Sequence, residues 1–136
     1  MKAKILPLSS ARASRTDGFL RYPGSSIVIT LLADKWTIPI LHALARGTRR
    51  TGELKKEIDG VSQKMLTQTL RMLEEHSLVE RKVYPVVPPR VEYSLTAMGR
   101  SLNEPLAELG AWTEANGQAL EKGPARRTRR RASASR

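Results

Sequence analysis

The stretch TGELKKEIDGVSQKMLTQTLRMLEE, residues 51–75, decides the fold. Thr51 is a good N-cap for a short helix in which Leu54 and Ile58, four residues apart, share one face. Asp59-Gly60-Val61 then makes a tight turn, and Ser62 caps a longer helix that runs to Glu75. Two helices joined by about three residues including a glycine have the composition of a helix-turn-helix. On a wheel of about 100° per residue the longer helix divides into two faces. Met65, Leu66, Thr69, Leu70, Met72 and Leu73 occupy one side, and Gln63, Lys64, Thr67, Gln68, Arg71, Glu74 and Glu75 the other.

Outward from this unit the pattern changes period more than once. Upstream, Ser25 or Ser26 caps a helix through Ile27, Leu31 and Leu32 that ends at Asp34-Lys35. The next begins near Trp36, because Pro39 lacks an N–H and is tolerated in the first turn. Ile40, Leu41 and Leu44 give it an apolar face, and Gly47 stops it. Downstream, residues 79–84 and 90–95 alternate with the period of two strands. Pro85-Val86-Val87-Pro88-Pro89 between them is too proline-rich to pair inside a sheet and projects as a stiff loop. A hairpin with a rigid tip after a helix-turn-helix is a wing. Thr96 caps a last helical region in which Leu102, Leu106, Leu109 and Trp112 fall at helical spacing and Pro105 forces a kink or a restart. That stripe covers its own core, packs against the same helix of a second chain, or does both. The fold class is therefore mainly α with a small β-hairpin, an α+β winged helix-turn-helix that dimerises through its N- and C-terminal helices.

One domain of modest core is what 136 residues with 40% hydrophobic content allow. The ends differ from the middle. Residues 1–24 carry five Lys or Arg against Asp17, residues 122–136 carry seven against none, and residues 25–121 carry twelve against twelve acids. The net charge of +11 thus belongs to the ends, and any basic patch on the folded part is local. Three segments follow: a basic N-terminal arm over 1–21, a domain over 22–118 and an arginine-rich tail over 119–136, the two ends reading as disordered. With no cysteine in the chain, thiolate nucleophiles and cysteine–zinc sites are excluded. No window approaches the roughly 18 apolar residues of a membrane span. Ile5 to Leu8 is too short for a signal core. The expectation is a cytoplasmic, nucleoid-associated protein with no membrane partner.

A polar helix face is usually just solvated. Here its chemistry and position favour double-stranded DNA. Gln, Lys, Thr and Arg reach phosphates and base edges, and they cluster in the N-terminal turns, which enter the major groove first. The acidic Glu74 and Glu75 sit at the far end. Lys64 and Arg71 suit phosphates or guanine, Gln63 and Gln68 suit adenine, and the Thr67 methyl suits thymine. The cap residue Ser62 belongs to the same DNA-facing set. Arg49 and Arg50 fall beside the phosphate backbone, positioning rather than specifying. Arg90, next to the wing's Pro89, reaches either an adjacent minor groove or phosphate, or a salt bridge within its sheet.

The runs Asp34-Lys35-Trp36-Thr37, Val61 to Thr67, Leu70 to Glu74 and Pro88-Pro89-Arg90-Val91-Glu92-Tyr93-Ser94-Leu95-Thr96 closely resemble the HxlR-type winged helix-turn-helix regulators, over about residues 22–113. The resemblance implies a homodimer built from the first and last helices, binding an inverted repeat and activating or repressing nearby genes. It carries over Gln63, Lys64, Thr67, Gln68 and Arg71 as recognition positions, with Arg50, Pro89 and Arg90 beside the backbone. Ile27, Leu31, Leu102, Leu106, Leu109 and Trp112 become the dimer seam. Many relatives have a cysteine where this chain has Tyr22 before Pro23, so direct thiol sensing is excluded. Thr51 stands where relatives often carry Phe.

No glycine-rich phosphate loop, nucleophile elbow or acid–base pair is present, so no enzyme and no cofactor is expected. His42 and His76 make a poor metal site; a core contact and a helix C-terminal charge suit them better. Trp36 and Trp112 line a small-molecule effector pocket or serve as structural residues. The competing function is a nonspecific nucleic-acid binder or protein-interaction adaptor driven by the basic tail. Two recognition helices on one duplex require a separation of about 34 Å or a multiple.

Overall fold

A computed structural model describes residues 18–134, with side chains through residue 124. The elements are α1 (Gly18–Arg21), α2 (Ser25–Ala33), α3 (Thr37–Ala45), β1 (Arg49–Arg50), α4 (Thr51–Glu57), α5 (Gln63–Glu75), β2 (Val79–Tyr84), β3 (Arg90–Leu95), α6 (Ala97–Ser101) and α7 (Asn103–Ala134). The expected arm over residues 1–21 lies largely outside the described residues; its last four form α1.

Between α2 and α3 the chain bends by 92°. Asp34 terminates α2 in an extended conformation. Its carboxylate Oδ1 accepts from the Trp36 N–H at 2.9 Å, which starts the next helix. Pro39 falls in the first turn of α3, where its missing N–H has no intrahelical partner to lose. Helix α4 begins one residue earlier than its sequence indicates. Arg50 is the N-cap, because Glu53 Oε1 reaches back to accept from the Arg50 N–H at 2.8 Å, and Thr51 lies inside. The α4–α5 turn passes through Gly60 at φ 84°, a left-handed conformation that a side chain would strain.

The strands stand where alternation puts them, with one addition. β1, only two residues long, pairs antiparallel with β3, which is central in the order β1-β3-β2. Val79 opposes Leu95 and Tyr84 opposes Arg90 in the hairpin. Both members of the first pair are buried, so the base of the hairpin joins the core while its far end stands in solvent.

That core is aliphatic, as the scarcity of aromatics requires. Ile40 and Leu41 of α3, Leu54 of α4, and Leu66, Leu70 and Leu73 of α5 are essentially inaccessible. Helix α2 carries apolar residues around most of its circumference and can turn only one stripe inward. Leu31, which the sequence assigns to a dimer seam, is that stripe and is buried in its own protomer. Ile27, Val28, Ile29 and Leu32 remain exposed. His42 is also exposed rather than a core contact.

Thr96 Oγ1 caps α6, accepting from the Gly99 N–H at 3.0 Å while donating to the Ser77 carbonyl at 2.7 Å. Residues 104–136 form a second unit. Its helix α7 begins at Asn103, so Pro105 sits in a first turn and marks a restart. The helix continues to Ala134, with one non-helical residue at Gly123 (φ 36°), where the sequence reads as a tail without structure from residue 119. Leu102 and Leu106 are half-buried, and Leu109 and Trp112 are exposed.

Gly99 marks the tightest approach, since a Cβ there would fall on the Leu78 carbonyl oxygen. Backbone cannot move aside as a side chain can. Gly99→Ala is expected to lower unfolding stability by about 3 kcal/mol. Gly52→Ala, in the open first turn of α4, should raise it by about 0.5 kcal/mol. Urea unfolding at fixed protomer concentration checks both.

Candidate nucleic-acid interface

The interface is built from the N-terminus of α5. Ser62 Oγ accepts from the Met65 N–H at 3.1 Å, satisfying one of the four donors that a helix start leaves unpaired. No acid lies in the first turn, so the partial positive charge of the helix end is uncompensated and favours an anion. Gln63, Lys64, Gln68 and Arg71 project into solvent, and Thr67 is half-buried. Gln63 Nε2 donates to Thr67 Oγ1 at 3.3 Å, linking two neighbouring turns of the exposed face. Among the described residues, neither Lys64 nor Arg71 has a carboxylate in ion-pair reach. At the other end Glu74 faces Arg81 of β2 at 3.6 Å. Met65 departs from the wheel: it is 41% exposed and extends the solvent face rather than the core.

The wing presents a different chemistry. Tyr84 carries two cations against its ring, Lys82 Nζ at 5.0 Å and the Arg90 guanidinium at 4.8 Å from the centroid. Such contacts are worth about 0.5–1 kcal/mol at exposed sites and hold the arginine plane in one orientation. Among the described residues Arg90 makes no salt bridge, and its buried Nε has no hydrogen-bond partner. Of the two roles its sequence context leaves open, the ion pair within the sheet is absent among the described residues. Pro85 to Pro89 are exposed, with Val87 at 99%. The aromatic clamp escaped the sequence reading, although Lys82 and Tyr84 lie two apart on one strand face and Tyr84 opposes Arg90 across the hairpin.

Arg49 and Arg50 separate. Arg50 projects into solvent. Arg49 is engaged within the fold: Glu57 Oε1 accepts from its Nε at 2.5 Å, and the Thr48 carbonyl accepts from its Nη1 at 3.1 Å. Glu57 Oε2 accepts from Arg46 Nη2 at 2.8 Å. The carboxylate therefore bridges two arginines from either side of the α3–β1 connection and holds α4 against it. Eight residues separate Arg49 from Glu57, so the pairing needs the fold to bring it about.

A cavity of about 290 Å³ lies beside Trp36, lined by Trp36, Pro39, His42, Ala43, Arg46, Glu57, Ile58 and Asp59. All belong to residues 36–59, so it is not the Trp36–Trp112 pocket of the sequence reading. Among the described residues no group of three His, Asp or Glu side chains could hold a metal ion.

A capped helix whose cations have no carboxylate partner among the described residues, following a helix and a glycine turn and preceding a proline-tipped hairpin, matches a known family. Residues 31–121 fit the model of the HxlR-like helix-turn-helix. The chain belongs to that family. It is 46% identical over 89 residues to the HTH-type transcriptional regulator YtfH of Escherichia coli, covering 65% of this chain and 71% of that one. The solved structure of the transcriptional regulator ytfH from Salmonella typhimurium has a TM-score of 0.65 at 41% identity, covering 76% of this chain and 92% of its own. The redox regulator HypR in its reduced form has a TM-score of 0.64 at 36% identity, covering 72% and 99%. HxlR-like proteins are DNA-binding transcription regulators with winged helices, and this chain is one of them and no enzyme.

Hydrogen bonding from Arg49, with the charges of Arg49 and Arg46, holds the Glu57 carboxyl below its ordinary value of 4.5 against the opposing effect of burial. A group whose folded value is depressed stabilises above its unfolded value and ceases to do so as pH falls through the folded one. Glu57→Gln is therefore expected to lower the melting temperature at neutral pH. The difference from the parent should shrink as pH drops below about 4.5, which calorimetric scans between pH 7 and 3 would follow.

Proposed function

We propose that this regulator acts as a homodimer on an inverted-repeat operator, with α5 of each protomer in a major groove and each wing on the flanking backbone or minor groove. The observation that carries the reading is the exposed face of α5, where Gln63, Lys64, Gln68 and Arg71 stand without competing carboxylates among the described residues. Lys64 and Arg71 take phosphate or guanine, Gln63 and Gln68 take adenine, and Thr67 with the exposed Met65 meets thymine methyl groups. Ser62 directs the helix end at the phosphates. Arg50, Pro89 and the Tyr84-stacked Arg90 fix the register without reading sequence. Arg49 contributes indirectly by holding α4.

Dimerisation is supported by apolar surface that a monomer leaves wet. Ile27, Val28, Ile29 and Leu32 on α2, and Leu109 and Trp112 on α7, are between 36% and 52% exposed. Leu102 and Leu106 complete the stripe on the C-terminal side. An effector, if one acts, does not use a thiol of this chain, because it has none. DNA in the cytoplasm is the partner this reading requires.

The tail-driven alternative rests on seven basic residues against no acids in 122–136. It makes all binding an electrostatic matter of counterion release, with no preferred sequence.

Selection of bound duplexes from a random pool separates the two. An inverted repeat is expected from the full chain and from a chain ending at residue 121, the latter with a shallower salt dependence. Arg71→Ala should weaken operator binding by about 1–3 kcal/mol and relax one position of each half-site. Binding that enriches no sequence and disappears on truncation would establish the tail-driven reading instead. Sedimentation of Ile29→Glu is expected to shift the chain toward monomer and weaken operator binding with it.

A further inference from the structure

We infer that Asp34 is a positioning residue for DNA recognition, fixing the rotation of α5 through a hydrogen bond to Thr69. The inference rests on the proposed role of α5 in the major groove. Thr69 is buried, 1% exposed, at the centre of the helix face that meets the core. Its Oγ1 donates to Asp34 Oδ2 at 2.9 Å across 35 residues of sequence. The other oxygen of the same carboxylate accepts from the Trp36 N–H at the start of α3. One side chain therefore ties the end of α2, the beginning of α3 and the middle of α5 together.

A threonine within a helix ordinarily turns its hydroxyl to the carbonyl one turn back. Thr30 and Thr113 do so, donating to the carbonyls of Ser26 and Leu109. Thr69 is aimed at Asp34 instead. The neighbouring Leu66, Leu70 and Leu73 hold α5 against the core but by contacts without direction. A helix can roll on such a surface in a way that a charge-assisted hydrogen bond of fixed geometry resists. Side-chain tips stand about 5–6 Å from a helix axis, so a roll of about 20° displaces them by about 2 Å. That exceeds the tolerance of a base-edge hydrogen bond. Thr69 lies next to Gln68 and two residues from both Thr67 and Arg71, so their aim depends on it most directly.

Thr69→Val removes the hydroxyl at nearly constant volume, Thr69→Ser keeps it, and Asp34→Asn removes the charge while retaining one acceptor. Affinities of the full-length variants for the selected operator and for a scrambled duplex of equal length are compared at one salt concentration. Far-UV circular dichroism and stoichiometric titration give the folded, competent fraction. Thr69→Val is expected to lower the operator-to-scrambled affinity ratio about tenfold, and Thr69→Ser to restore it to within about twofold. Asp34→Asn should lower it, and the double variant should fall no further than Thr69→Val, since both substitutions act on the same bond. Should Thr69→Val fail to fold, Asp34→Asn carries the same comparison. A ratio unchanged in folded Thr69→Val and Asp34→Asn would overturn the positioning role, as would equal losses on both duplexes, which mark a purely structural effect. A parent chain that itself prefers no sequence overturns the operator reading and this inference together.

Discussion

Leu66, Leu70 and Leu73 are shut away from solvent on one side of α5, and this burial decides what the other side offers. Removing three leucines from water stabilises the fold by several kcal/mol. Because they repeat at helical spacing, it also commits Gln63, Lys64, Gln68 and Arg71 to the opposite face. Helices α3 and α4 supply the surface against which α5 packs. The wing hangs from the same core through Val79 and Leu95 at the base of its hairpin. Helix α5 and the wing are thus two projections of one small aliphatic interior.

Charge is distributed by use. The basic groups near the α3–β1–α4 junction are neutralised locally, with Glu57 between Arg46 and Arg49, and serve to lock elements together. Those on α5 have no such partner among the described residues and keep their charge available. A residue type alone does not distinguish the two roles. Arg49 and Arg50 are adjacent and identical, yet one points at a carboxylate and the other at solvent.

That contrast also marks where the sequence stops being readable. Elements with a period longer than a turn are legible: the α5 face, the Ser62 cap, the two alternating strands and the Thr96 cap all stand where spacing puts them. β1 is two residues long and carries no period, so nothing announces it before β3 pairs with it. Met65 sits at the edge of the apolar arc, where a small rotation decides between core and solvent. Leu31 and Ile27 look alike on a mostly apolar helix, and only packing separates the buried one from the exposed one. The ion pairs of Arg49, the Asp34–Thr69 bond and the stacking of Arg90 on Tyr84 depend on tertiary distances that no local pattern encodes.

The proline-rich tip between β2 and β3 bears on the entropy of association. Pro85, Pro88 and Pro89 each fix a backbone torsion, and the clamp on Tyr84 restrains two long cationic side chains at the base of the tip. Ordering a loop and freezing long side chains commonly subtracts from the free energy of binding. In this wing most of that freedom is given up during folding, before any partner arrives, so contacts made there lose little to ordering.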